Sequence, residues 1–68
     1  MKRKYMIWNE YCEETGYPVR AMKRLLHSYL ADRFSFRPSE GKTAPHYIRV
    51  NVFESMEAAG EFKGVLEG

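Results

Sequence analysis

Three side chains of this sequence have the chemistry of a nucleophile or a metal ligand, namely Cys12, His27 and His46. They lack the short, paired spacings that zinc sites use. Cys12 falls on the apolar face of a predicted helix, where a buried structural thiol is expected rather than a reactive one. The chain also has no glycine-rich phosphate loop and no convergent pair of carboxylates. We therefore expect a protein that is not an enzyme and that holds no metal and no cofactor.

The positive charges in the middle of the chain offer a different chemistry. The stretch 18–31, "PVRAMKRLLHSYLA", contains no acid. Its side chains that can carry positive charge are Arg20, Lys23, Arg24 and His27. Residues 16–52 hold seven Lys and Arg against two acids, whereas residues 53–68 hold one Lys against four Glu. This uneven distribution favours a negatively charged partner for the middle of the chain.

Two helices are predicted to position these charges. Residues 2–16 repeat aromatic and small side chains at helical spacing, and Gly16 can end that helix because glycine readily adopts a left-handed conformation. After the turn "TGYP", a second helix is predicted over residues 18–31. Its predicted core face consists of Met22, Leu25, Leu26 and Tyr29. The cations then lie on the opposite, exposed face of the same helix.

A β-hairpin is predicted after the second helix. The segments "RFSFR" (33–37) and "HYIRVNVF" (46–53) alternate apolar and polar residues, as strands do. The loop "PSEGKTAP" joins them. The predicted inward row of the second strand is Ile48, Val50 and Val52. Residues 54–68 predict a weaker third helix with Ser55 as its N-cap, which we expect to dock on the rest of the domain.

These elements predict one domain, 1–68, of the α+β class with a winged helix-turn-helix-like arrangement. In a winged helix, the helix before the hairpin enters the major groove, and the wing loop reaches the DNA backbone or the minor groove. Arg can pair with guanine edges, and both Arg and Lys can pair with phosphates. The candidate DNA-binding residues are Arg20, Lys23, Arg24, His27 and Ser28 on the helix, and Arg37, Lys42, Thr43, His46 and Arg49 on the hairpin.

The segments "YMIWNEYCEETG", "RAMKRLLHSYL" and "YIRV", with Phe34 between the last two, resemble the C-terminal domain of helicase–primases. Those proteins occur in phages, poxviruses and mobile genomic islands. The resemblance covers roughly residues 4–52 and implies a winged-helix module beside a replicative helicase. The sequence departs from that pattern in two places: it has no additional helix upstream, and Asp32-Arg33 stands where the family tends to have glycine.

The sequence therefore predicts a non-catalytic domain that binds double-stranded DNA, as an accessory module of a phage or mobile-element replication helicase or primase. One alternative is a small stand-alone phage regulator of the excisionase type. Another, of a different class, is a protein–protein interaction module. No apolar run approaches the ~20 residues of a membrane span, and the single cysteine suits a reducing, cytoplasmic location.

Overall fold

The computed structural model describes residues 3–38 and 45–67 of the chain. The elements follow in the order β1 (Tyr5–Ile7), α1 (Trp8–Thr15), α2 (Val19–Leu26), α3 (Ala31–Phe34), β2 (Ser35–Phe36), β3 (Tyr47–Arg49), α4 (Val50–Ala58) and α5 (Lys63–Glu67). Several helices with one small antiparallel sheet confirm the α+β class. Within the described ranges, no helix is long and apolar enough to cross a membrane.

The sheet has three antiparallel strands in the order β1-β3-β2. The pairing of β2 with β3 agrees with the predicted hairpin. β1 was not predicted, because residues 2–16 were assigned to one helix. A helix beginning at residue 2 would place cations at the positive end of its dipole. α1 instead begins at Trp8 with Glu10 in its first turn, and β3 supplies partners for the preceding backbone.

The second predicted helix, 18–31, ends earlier than predicted: α2 covers Val19–Leu26, a turn follows, and α3 begins only at Ala31. α2 ends at Leu26, and the Ser28 hydroxyl stabilises the turn by donating to the Leu25 carbonyl oxygen at 2.6 Å and accepting from the Leu30 backbone N–H at 3.2 Å. Serine favours such local bonds over helix continuation. As a result, Tyr29 is 85% exposed and Leu30 is buried, which contradicts the predicted core position of Tyr29. Met22 and Leu25 are fully buried, as predicted.

The strand predicted over 46–53 becomes a helix after three residues. β3 ends at Arg49, and α4 begins at Val50. Val50, Phe53 and Met56 are buried at a spacing of three, which is a helical face, whereas Val52 is exposed. Ser55 consequently lies inside α4 and is not an N-cap. The first strand of the predicted hairpin, 33–37, is also shorter than predicted: Phe34 ends α3, and β2 contains only Ser35 and Phe36.

Phe53 is the centre of an aromatic core. Its ring centroid lies 4.8–5.2 Å from those of Tyr11, Tyr17, Phe34 and Phe62. Three of these four contacts are edge-to-face, the arrangement that the ring quadrupole favours. The core therefore joins α1, α3 and α4 to the segment before α5.

The C-terminal segment docks on the helices, as expected. Gly60 has a φ of 78°, a left-handed conformation that reverses the chain between α4 and α5. This turn brings Phe62 into the core, where only 2% of it is exposed. The Arg33 guanidinium pairs with both carboxylate oxygens of Glu61 and ties the same turn to α3. The C-terminal segment, which is rich in glutamate, thus covers apolar surface of the helices.

Candidate nucleic-acid interface

The outer face of α2 carries the candidate cations of the second helix. Met22 and Leu25 are fully buried, so they fix the rotation of this eight-residue helix against the core. Arg20, Lys23 and Arg24 consequently point outward, and each is exposed. His27, at the end of the helix, is exposed as well. The structure thus places four of the predicted residues on one surface, which we call the α2 surface.

Across residues 3–38 and 45–67, no carboxylate lies within ion-pair distance of the α2 cations. Arg3, by contrast, pairs with Glu10, and Arg33 pairs with Glu61, so the charges of these two arginines are partly neutralised. Arg24 donates a hydrogen bond to the Leu66 carbonyl oxygen at 3.1 Å. A carbonyl oxygen leaves the full positive charge on the guanidinium. The α2 surface therefore keeps its charge available for an external anion.

A shallow groove of about 830 Å³ runs along the α2 surface toward α5. Its lining combines small or apolar residues with the cations, and consists of Pro18, Arg20, Ala21, Lys23, Arg24, His27 and Leu66. α5 packs beside α2 and forms the far wall through Leu66. The C-terminal helix α5 therefore borders the α2 surface on one side. A partner bound to the α2 surface cannot extend past α5 on that side.

Ser28 has a structural role in this geometry. Its hydroxyl hydrogen is donated to the Leu25 carbonyl oxygen, and its oxygen accepts from the Leu30 N–H. Both bonds hold the turn that ends α2, and the Ser28 hydroxyl could donate to a DNA phosphate only by giving up its bond to the Leu25 carbonyl oxygen. We therefore assign Ser28 to positioning of the helix end.

The base of the hairpin carries two of the predicted residues. Arg37 is exposed just after β2, and His46 is half-buried just before β3. The pKa of His46 is lowered, first by burial and then by the positive charges of Arg37 and His27, while Asp32 acts in the opposite direction. Arg37 and His27 thus both disfavour the charged form of His46. The predicted residues Lys42 and Thr43 lie outside the described residues.

Arg49 is on a different surface from the α2 cations. Its neighbour Ile48 points into the core and is fully buried, so Arg49 faces the opposite side of the sheet. Its guanidinium carbon lies 4.8 Å from the centre of the Phe36 ring. The neighbouring strands place aromatic side chains on this side of the sheet, and the sequence analysis does not predict this surface. The alternation of Tyr47 and Arg49 indicates that the two residues share a face, but the contribution of Tyr5 requires β1, which the sequence does not predict.

Cys12 is buried in the core, with 4% of its surface exposed. Burial raises the pKa of its thiol, which disfavours the nucleophilic thiolate. This position agrees with a packing role for the thiol on the inner side of α1.

His46 should make the stability of the domain depend on pH. Because its pKa is lower in the folded chain than the ordinary value of 6.5, the unfolded chain binds more protons below that value, and the free energy of unfolding falls as the pH drops. We expect the Tm to decrease between about pH 7.5 and about pH 5.5, and His46→Gln to reduce that decrease. Thermal melts followed by circular dichroism measure both. An equal decrease in the two proteins would contradict the assignment, and melts at higher pH, where histidine is neutral, provide the baseline.

Comparison of the chain with protein families, curated proteins and solved structures gives no match.

Proposed function

We propose that this chain is a non-catalytic, winged-helix-like module that binds duplex DNA through the α2 surface. The observation that carries the proposal is the α2 surface itself, on which Arg20, Lys23 and Arg24 are exposed without a carboxylate partner in the described part of the chain. Cations in this state attract phosphates, and binding is driven by release of the counterions that surround DNA.

The arrangement around α2 supports the same function. α1 and α2 are joined by a short turn at Gly16, whose φ of 77° lets the chain reverse after α1. The antiparallel pair of β2 and β3 follows α1, α2 and the short α3, and this order supports the proposal of a winged-helix-like arrangement. Arg37 is exposed at the hairpin base, and His46 is half-buried there. An α-helix fits the major groove, and the hairpin cations would then meet the neighbouring backbone.

The α4–α5 segment supports the winged-helix interpretation, in which a further helix packs against the helix pair. Phe53, Met56 and Phe62 bury themselves against the helix pair, so the apolar side that an additional helix would cover is occupied. We propose that this segment replaces that helix. The wider assignment, to an accessory module of a replication helicase or primase in the cytoplasm of a host cell, rests on the sequence resemblance; a stand-alone regulator has the same DNA-binding chemistry.

One observation favours the protein-interaction alternative. The groove between α2 and α5 combines cations with the apolar surface of Ala21 and Leu66. A mixed surface of this kind suits an acidic peptide that has one or two apolar side chains. Under this alternative, duplex DNA would bind weakly or not at all.

The test is fluorescence anisotropy of a labelled duplex titrated with the wild-type protein at several salt concentrations. If the α2 surface and the hairpin base neutralise about four phosphates, the slope of log K against log salt should be about −3.6, because each phosphate contributes about 0.9. A duplex that does not bind at about 50 mM salt, where electrostatic binding is strong, would refute the proposal and favour the protein partner.

A further inference from the structure

The outward face of the sheet is aromatic. Residues directly opposite each other in neighbouring strands share a face, so the register assigns every outward position. The outward residues are Tyr5 and Ile7 on β1, Tyr47 and Arg49 on β3, and Phe36 on β2. We call the three rings Tyr5, Phe36 and Tyr47 the aromatic face.

The helices cover the other side of this sheet. Met6 and Ile48 point inward and belong to the buried core. The rings of the aromatic face belong neither to that core nor to the side chains packed against it. Tyr5 is 44% exposed, and Phe36 and Tyr47 are half-buried. Within residues 3–38 and 45–67, the aromatic face therefore has no helix above it.

The three rings form one connected surface. The centroids of Tyr5 and Phe36 are 5.4 Å apart with the rings at 83° to each other. Phe36 and Tyr47 are nearly parallel, with an interplanar angle of 27° and a centroid distance of 5.8 Å. The Tyr5 and Phe36 rings thus lean toward each other across β3, which lies between their strands.

Positive charge surrounds these rings. The Arg49 guanidinium lies over Phe36, and the Lys4 ammonium lies 5.5 Å from the centre of the Tyr5 ring. The outward residues of the three strands include no acid. A binding partner should therefore combine flat apolar groups with negative charge along its length.

We propose that the aromatic face binds an unpaired stretch of DNA. Bases stack on accessible tyrosine and phenylalanine rings, of which Tyr5 is the most exposed on this face, and Arg and Lys beside the rings pair with the backbone phosphates. Duplex DNA hides its base faces and cannot use the rings in this way. The choice of DNA over RNA rests on the proposed function, whereas the stacking surface stands on the sheet geometry alone. The chain would then hold duplex DNA at α2 and a separated strand at the sheet.

The test measures anisotropy of a labelled oligothymidylate and of a labelled duplex with the full chain. Tyr5→Ala should weaken oligothymidylate binding at least about fivefold, since one stacked base contributes about 1 kcal/mol or more. It should leave duplex binding unchanged. Tyr5→Phe keeps the ring and should retain wild-type affinity. Tyr29→Ala removes another exposed tyrosine, outside the sheet, and serves as the matched control.

The outcomes separate this inference from the proposed function. Arg20→Glu with Lys23→Glu should weaken duplex binding by at least about tenfold and retain most oligothymidylate binding. If the wild-type protein binds no duplex, only the α2 proposal is refuted. Equal oligothymidylate affinity of Tyr5→Ala and wild type, with both folded by circular dichroism, overturns the aromatic-face proposal. So does tighter binding of an oligouridylate than of oligothymidylate, or a dimer in sedimentation that Tyr5→Ala dissociates.

Discussion

Phe53→Ala should remove a large share of the free energy of unfolding of the domain. Phe53 is fully buried and contacts four other rings, so truncation removes the centre of the core. A Phe→Ala change in a core costs about 3–5 kcal/mol. A chain of 68 residues has a free energy of unfolding of only about 3–10 kcal/mol. The loss is therefore comparable to the whole stability of the domain.

Urea unfolding followed by circular dichroism measures this effect, and Val52→Ala is the control. Val52 is the preceding residue on α4 and is 38% exposed, so its truncation should change the stability by less than about 0.5 kcal/mol. The pair of variants also distinguishes the helix from the strand that the sequence predicted. In a strand continuing from Ile48, Val52 would point inward and Phe53 outward, so the order of the two effects would be reversed. A larger loss for Val52→Ala would contradict the start of α4 at Val50.

The sequence predicted those features that depend on neighbouring residues. Met22 and Leu25 define the inner side of α2 by helical spacing alone, and Gly16 ends α1 because few other residues adopt its left-handed conformation cheaply. The outward position of Arg20, Lys23 and Arg24 follows directly from that inner side. For the same reason, the predicted cations of the helix lie together in the structure.

The predictions that were wrong concern features that depend on distant parts of the chain. β1 exists because β3 supplies hydrogen-bond partners more than thirty residues away, such as the bond from the Trp8 N–H to the His46 carbonyl oxygen at 3.1 Å. The change from strand to helix at Val50 was ambiguous, because residues 48, 50 and 52 alternate while residues 50, 53 and 56 have helical spacing. Burial of Phe53 among four rings decides between the two patterns, and it is a tertiary effect that a short window does not contain.

The predicted DNA-binding residues lie on two separate surfaces of the structure, and the sequence does not predict this separation because it does not predict β1. Arg49 was grouped with the hairpin cations because β1 was unknown and the sheet had no assigned outer face. Once β1 pairs with β3, Arg49 lies opposite Tyr5 and beside Phe36, on the side away from the helices. Its charge therefore belongs to the aromatic face and not to the α2 surface, so each surface is tested by its own variants.

Arg20→Glu with Lys23→Glu should weaken duplex binding by at least about tenfold, because each charged contact contributes about 1.5 kcal/mol or more. It should also reduce the salt slope by about 2, since two phosphate contacts are lost. Both side chains are exposed and lie one turn apart on α2, so the change should not disturb the core. Arg24 is left intact because its hydrogen bond to Leu66 holds α5 beside α2. Anisotropy over a salt series measures both quantities.

The matched control is Arg3→Glu with Lys63→Glu, which lowers the net charge by the same amount. Both residues are exposed and lie outside the α2 surface: Arg3 precedes β1, and Lys63 is the first residue of α5. If the attraction came only from the net charge of +2, the two double variants would lose equal affinity. If the α2 surface contacts the phosphates directly, only Arg20→Glu with Lys23→Glu loses the salt slope, since counterion release depends on local contacts. Equal binding by both variants and the wild type would instead make α2 a solvated helix face, and the groove beside α5 would then be tested for an acidic peptide.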